Sequence, residues 1–203
     1  MSAFTRLFDH SKNPEIIIVS GLPRSGTSLM MKMLEAGGMP PLTDGQRAAD
    51  PDNPRGYYEF ERVKLLPDGD HAWLDQARGK AIKIISSLLQ YLPPGYHYRV
   101  IFMRRALAEV LASQRAMLAR RGAANPEQDA EMERIFRTHL AATEAWLAAR
   151  PHFQTLYVDY NQLLAEPDGL VAALVDFLPS TLDASRMKAV IDPALYRQRA
   201  HQV

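Results

Sequence analysis

Gly21-Leu22-Pro23-Arg24-Ser25-Gly26-Thr27-Ser28 is the stretch on which the fold turns. It follows Ile16-Ile17-Ile18-Val19, a β-branched run of the kind that forms a strand buried on both faces. It precedes Leu29, Met30, Met33 and Leu34, apolar at helical spacing, and Gly37-Gly38 stops that helix. A strand, a glycine-containing loop and a helix in this order make an anion cradle. The glycines let the backbone wrap close to a charged group, and the new helix aims N–H groups at it. The spacing is that of G-x-x-x-x-G-K-[ST], with one departure: Thr27 stands where a nucleoside triphosphatase has its lysine. That lysine binds the β- and γ-phosphates of a triphosphate, where Mg²⁺ joins them. A ligand without a γ-phosphate carries less charge, and Arg24 inside the loop could serve it instead.

Outward from the loop, residues 80–85, 98–103 and 153–158 read as further strands. Residues 107–120 and 127–149 read as helices, with shorter ones at 168–178 and 183–190. Strands alternating with helices predict an α/β fold with a mainly parallel central sheet flanked by helices. No repeat, low-complexity tract or linker divides the chain, so residues 1–203 read as a single domain. Residues 39–58, rich in proline and glycine, are too long for a plain connection. The segment 39–78 is therefore expected to form an acceptor pocket or lid. Its Tyr57, Tyr58, Phe60 and Trp73 either line an apolar site or belong to the core, and periodicity does not decide between them.

Composition narrows the partners. With 47% hydrophobic and 23% charged residues and a net charge of +1, the chain has no global field to draw in nucleic acid or an anionic membrane. There are no cysteines, which excludes disulfides, thiolate nucleophiles and thiolate metal sites. Met1 to Glu15 has no apolar core, and no apolar run approaches the length of a membrane span. The sequence thus predicts a soluble, cytoplasmic protein. The six histidines show no metal-ligand spacing.

A second anion site is written into residues 99–121. They carry Arg99, Arg104, Arg105, Arg115, Arg120 and Arg121 against one acid, Glu109. Arginine suits forked recognition of phosphate oxygens. Ser113 lies eight residues after Arg105, on the helix that follows the strand.

Together these motifs resemble those of the PAPS-dependent sulfotransferases. The loop is most similar to the Pro-Arg-Ser-Gly-Thr variant of tyrosylprotein and bacterial members. The resemblance implies a three-layer fold like that of the P-loop nucleotide hydrolases, with PAPS as sulfuryl donor and PAP as product. It implies that Gly21, Pro23, Arg24, Ser25, Gly26, Thr27 and Ser28 hold the 5′-phosphosulfate. It further implies that a strand-end arginine and a serine eight residues on hold the 3′-phosphate. Arg104 and Arg105 both stand at that strand end, and the serine spacing favours Arg105. Glu109 and Val110 match the family's acidic-then-aliphatic step, whereas Ala106-Leu107 replace its Asp-Pro.

Lys83 matches a family lysine that contacts the phosphosulfate, but Lys83-Ile84-Ile85 lacks the histidine that follows it in many cytosolic members. Tyr160 matches a tyrosine near the adenine, with Asn161-Gln162 in place of acids, and Arg197 belongs to a late basic segment that closes on the nucleotide. By analogy with the tyrosylprotein enzymes a carboxylate is the expected general base. Glu59 comes first, since apolar neighbours can raise a carboxyl pKa, and Asp44, Glu61 and His71 are the other candidates. Arg24, Lys83 and Glu59 are thus the expected catalytic set, for in-line transfer that requires no metal. The acceptor would be a hydroxyl or amine of a small molecule, carbohydrate or peptide. Members of the family often dimerise, although no dimer motif is recognisable here. Two other readings stay open. One is a small-molecule kinase, with Asp159 ending a strand as in a Walker B motif. The other is a nucleotide-binding module without chemistry.

Overall fold

β1 (Ile16–Gly21) has all six residues buried. In the computed structural model, which describes residues 15–45, 56, 58–120, 122 and 129–192, this strand organises the sheet. It pairs in parallel with β2 (Ala81–Lys83) on one side and β3 (Tyr98–Arg104) on the other, and β3 pairs in parallel with β4 (Phe153–Asp159). The order is β2-β1-β3-β4. β2 is shorter than the expected 80–85. Ile84 N–H still donates to the Val19 carbonyl (3.0 Å), and the chain then turns into a 3₁₀ helix, Ser86–Tyr91. The open edge of β2 is covered by residues 40–42, since Ala81 N–H donates to Pro40 O (3.0 Å) and Leu42 N–H to Ala81 O (2.8 Å).

Alternation along β1 sorts the core into two layers. Ile17 and Val19 pack with Met30, Met33 and Leu34 of α1 (Thr27–Ala36). The same layer takes Leu163 of α4 (Tyr160–Ala165), Leu174 of α5 (Pro167–Phe177) and Met187 of α6 (Ala184–Ala189). Ile16 and Ile18 face the other way, toward Leu89 of Ser86–Tyr91 and two more 3₁₀ helices, Glu61–Asp68 and Leu74–Ala77. Leu147 of α3 (Asp129–Ala148) completes that layer. α2 (Leu107–Arg120) follows β3 directly. The result is the three-layer α/β arrangement that the alternation predicts.

Trp73 answers the question left open for the aromatic segment. It has no exposed surface, its indole N–H donates to Asp70 O (3.0 Å), and Phe60 packs edge-on against it with ring centroids 5.5 Å apart. Both belong to the core, where full burial of a large apolar side chain contributes about 1.5–3 kcal/mol. The 3₁₀ helices left no helical signal in the sequence, because their apolar residues do not recur at 3.6 and Pro67 lies inside the first. Among the described residues no helix is long and apolar enough to cross a membrane.

The chain leaves β1 for β2 on one side and then crosses to β3 on the other. The carboxyl ends of β1 and β3 therefore flank a topological switch point, where open parallel sheets bind ligands.

Candidate functional site

The loop after β1 holds its shape through backbone conformation. Gly21 has φ 143°, and a Cβ there would lie 2.6 Å from both Met103 O and Ser25 Oγ. The buried Ser25 hydroxyl donates to Leu22 O (2.7 Å), and the Ser25 N–H donates to the same carbonyl (3.2 Å), which closes the turn. Arg24 sits in the left-handed region at φ 71°, and Gly26 follows at φ 99°. A Cβ on Gly26 would lie 2.3 Å from the ring of Tyr160. Met30 N–H donates to Gly26 O (3.1 Å) to open α1. The N–H groups of a helix's first turn have no partner within the helix, and they carry its positive dipole end. Thr27 and Ser28 lie in that turn, both half-buried, while Pro23 is exposed.

The corner between β3 and α2 meets this loop through side chains. Arg105 donates from Nη1 to the Arg24 carbonyl (3.1 Å), and Arg24 donates from Nε to Ser113 Oγ (3.0 Å). Arg24, about 80 residues or more from Arg105 and Ser113 in sequence, forms one linked cluster with them at the carboxyl ends of β1 and β3. Arg105 also donates from Nε to Glu109 Oε2 (2.9 Å), and its guanidinium lies 4.6 Å from the Tyr160 ring centroid. Tyr160 is thus a buried platform beneath both Gly26 and Arg105, and burial pushes its phenol pKa up.

Three other arginines of the basic segment go elsewhere. Arg104 stacks on Tyr157 at 3.9 Å and forks onto Glu144 (3.0 and 2.8 Å). Arg99 engages Glu15 and the Phe177 carbonyl, and Arg115 pairs with Asp129 (2.9 Å). The structure therefore brings Arg105, not Arg104, to the loop. Arg104 is the last residue of β3 and Arg105 the first beyond it, where the chain turns into α2, and the two adjacent arginines part company there.

A third group lies at the end of β2. Lys83 Nζ is 3.6 Å from Glu59 Oε1, with the two side chains only 10% and 22% exposed. Glu59 is placed by its neighbours. Tyr58, at φ 52°, packs against the α1 layer and donates its hydroxyl to Glu35, while Phe60 enters the opposite layer. Residues 58–60 thus straddle the sheet, with Glu59 between two aromatic anchors. The Glu59 carbonyl accepts from Thr43 Oγ1 (2.8 Å) and Asp44 N–H (3.3 Å). The other candidate bases have different partners. Asp44 Oδ2 accepts from Glu61 N–H (2.6 Å), Glu61 pairs with Lys64 (2.6 Å), and His71 Nε2 lies 3.0 Å from the Tyr91 carbonyl.

Asn161 is a member of the cluster that the sequence reading passed over. Its Nδ2 donates to Glu109 Oε1 (3.0 Å). The i,i+4 spacing of Arg105 and Glu109 at a helix start foreshadows their ion pair, but nothing local announces that Asn161, from the start of α4, reaches the same carboxylate. Tyr57 and Arg197 lie outside the described residues.

No family model and no curated protein matches the sequence. Among solved structures the chain is similar to a sulfotransferase domain from the curacin biosynthetic pathway. The identity is 15% and the TM-score 0.49, over 94% of this chain and 93% of that one. At that level the likeness carries no functional inference.

Proposed function

We propose that this protein transfers the sulfuryl group of PAPS to a hydroxyl or amine of a small-molecule, carbohydrate or peptide acceptor. The observation that carries the reading is the Arg105–Arg24–Ser113 linkage. It joins a backbone anion loop to a guanidinium and a hydroxyl at the neighbouring strand end. A ligand with anionic groups at both its 5′ and 3′ positions is what such a pair of adjoining anion sites suits. The donors are the right kind for phosphate oxygens: arginine forks, a serine hydroxyl and the amino end of α1. In this reading the residues from Gly21 to Ser28 take the 5′ end, Arg105 and Ser113 take the 3′-phosphate, and Tyr160 lies toward the nucleoside.

PAPS supplies the activated sulfuryl group, and the protein positions, neutralises and moves a proton. The acceptor atom bonds to sulfur in line with the leaving phosphate. The bond from sulfur to the bridging phosphate oxygen breaks, and that oxygen keeps the electron pair. Arg24, Lys83 and the α1 amino end stabilise the charge that develops there. Glu59, already beside Lys83, takes the acceptor proton. Its carboxylate thereby supplies the base that Ile85 does not.

The kinase reading loses the support it drew from Asp159. That side chain caps α4, accepting from Gln162 N–H (2.8 Å), and β4 is separated from β1 by β3. Calorimetric titration with PAP in the absence of Mg²⁺, beside ADP and ATP, tests the proposal. Expected are micromolar PAP affinity, much weaker ADP binding and loss of PAP affinity in Arg105→Ala. If Mg-ATP binds and PAP does not, the sulfotransferase reading fails.

A further inference from the structure

Glu109 is a buried acid that the proposed reaction does not use. It is 2% exposed, in the first turn of α2, with its N–H donating to Ala106 O (3.0 Å). A carboxylate this deep costs free energy unless its oxygens are satisfied. Oε2 accepts from Arg105 Nε (2.9 Å), and Oε1 accepts from Asn161 Nδ2 (3.0 Å). The amino end of α2 adds favourable dipole. The Arg105 side chain is itself 8% exposed and is held on three sides: by Glu109 at Nε, by the Arg24 carbonyl at Nη1 and by the Tyr160 ring beneath its plane. A guanidinium so held has few rotamers left to lose when it meets a phosphate, and preorganisation of this kind converts directly into affinity.

We infer that Glu109, itself steadied by Asn161, is a positioning residue that fixes the Arg105 guanidinium and thereby sets selectivity for a nucleotide bearing a 3′-phosphate. The inference rests on the reading of Arg105 as the 3′-phosphate ligand. Glu109 touches no ligand and acts through Arg105. The bridge also ties the β3–α2 corner to the start of α4, beside the contact of Arg105 with Tyr160. A one-sided ion pair would leave the carboxylate free to rotate. The second hydrogen bond, from Asn161, fixes the carboxylate plane and so the direction of the arginine fork.

The test compares PAP with 5′-AMP, which lacks only the 3′-phosphate, by calorimetry on the full chain. Wild type is expected to prefer PAP by at least about tenfold, the discrimination of one charge-assisted contact. Glu109→Gln removes the negative charge that strengthens the hydrogen bond from Arg105, whichever way the new amide turns. The PAP-to-AMP ratio should then fall about tenfold, with AMP affinity held. In Asn161→Ala, which keeps the ion pair, it should fall about threefold. A wild type that does not prefer PAP overturns the assignment of Arg105 itself. A wild type that does, with both variants keeping the ratio, overturns the role of Glu109 alone. Equal loss of PAP and AMP affinity shows a merely structural residue and also overturns it. If Glu109→Gln does not fold, as judged by circular dichroism and melting, Asn161→Ala decides by the same ratio.

Discussion

The loop after β1 and the end of β2 are built differently. At the first, a closed backbone turn locks onto a neighbouring side-chain cluster. Gly21 and Gly26 have no room for a Cβ, and Arg24, Arg105, Ser113, Glu109 and Asn161 are joined by hydrogen bonds of 2.9–3.1 Å. At the second, Lys83 and Glu59 meet at 3.6 Å, and Glu59 is aimed by two aromatic residues entering opposite layers. In the proposed reaction the first region holds the anionic donor in one pose, and the second offers a carboxylate to the acceptor proton. Binding and chemistry should therefore separate under mutation.

The largest effect on binding is expected from Gly26→Ala. Left-handed backbone at a non-glycine position costs about 1–3 kcal/mol, and the new methyl would lie 2.3 Å from a Tyr160 ring pinned beneath Arg105. A loop displaced to escape a strain of about 3 kcal/mol gives up about two decades in affinity. PAP and AMP binding should both fall about 100-fold by calorimetry. Binding retained within threefold would show that the loop is not the interlocked element described.

Glu59→Gln should do the reverse. With the first acceptor that wild type sulfates, turnover is expected to drop by about 10²–10⁴, the usual worth of a general base, while PAP affinity changes by no more than about twofold. Parallel losses of turnover and PAP affinity would mean that the Glu59–Lys83 pair belongs to the nucleotide site, and the division would collapse.

The same difference governs what the sequence could reveal. The loop after β1 is contiguous, and its conformation is demanded by residue types at fixed spacing. Glycines at positive φ and a strand-to-helix junction are legible without a structure. Arg105 and Ser113 sit on one strand–helix unit, so their spacing is local too. Glu59 comes first among several candidate acids, on its apolar neighbours alone. Its place beside Lys83 depends on the partition of Tyr58 and Phe60 between two layers, a tertiary fact with no periodic signature. Asn161 and His139 were hidden for the same reason, since each meets its partner from an element more than 50 residues away. The 3₁₀ helices escaped because their pitch carries no 3.6-residue stripe.

The smallest expected effect concerns His139, which joins α3 to the turn beyond β2. Its Nε2 lies 2.8 Å from Oγ of the buried Ser86, three residues after Lys83. Burial holds the folded-state pKa of His139 below its ordinary value. The unfolded chain therefore binds more protons than the folded one once pH drops below about 6.5. The associated stability is fully present above that value and is lost as pH falls through the lower folded pKa. His152, depressed by burial and then by Arg150 and His97, adds to the same acid-side slope. In His139→Gln the decline of melting temperature between about pH 6.5 and 5 should be shallower than in wild type, because one group that gains a proton on unfolding is gone. Equal slopes would mean that the α3 contact to the β2 turn is indifferent to protonation.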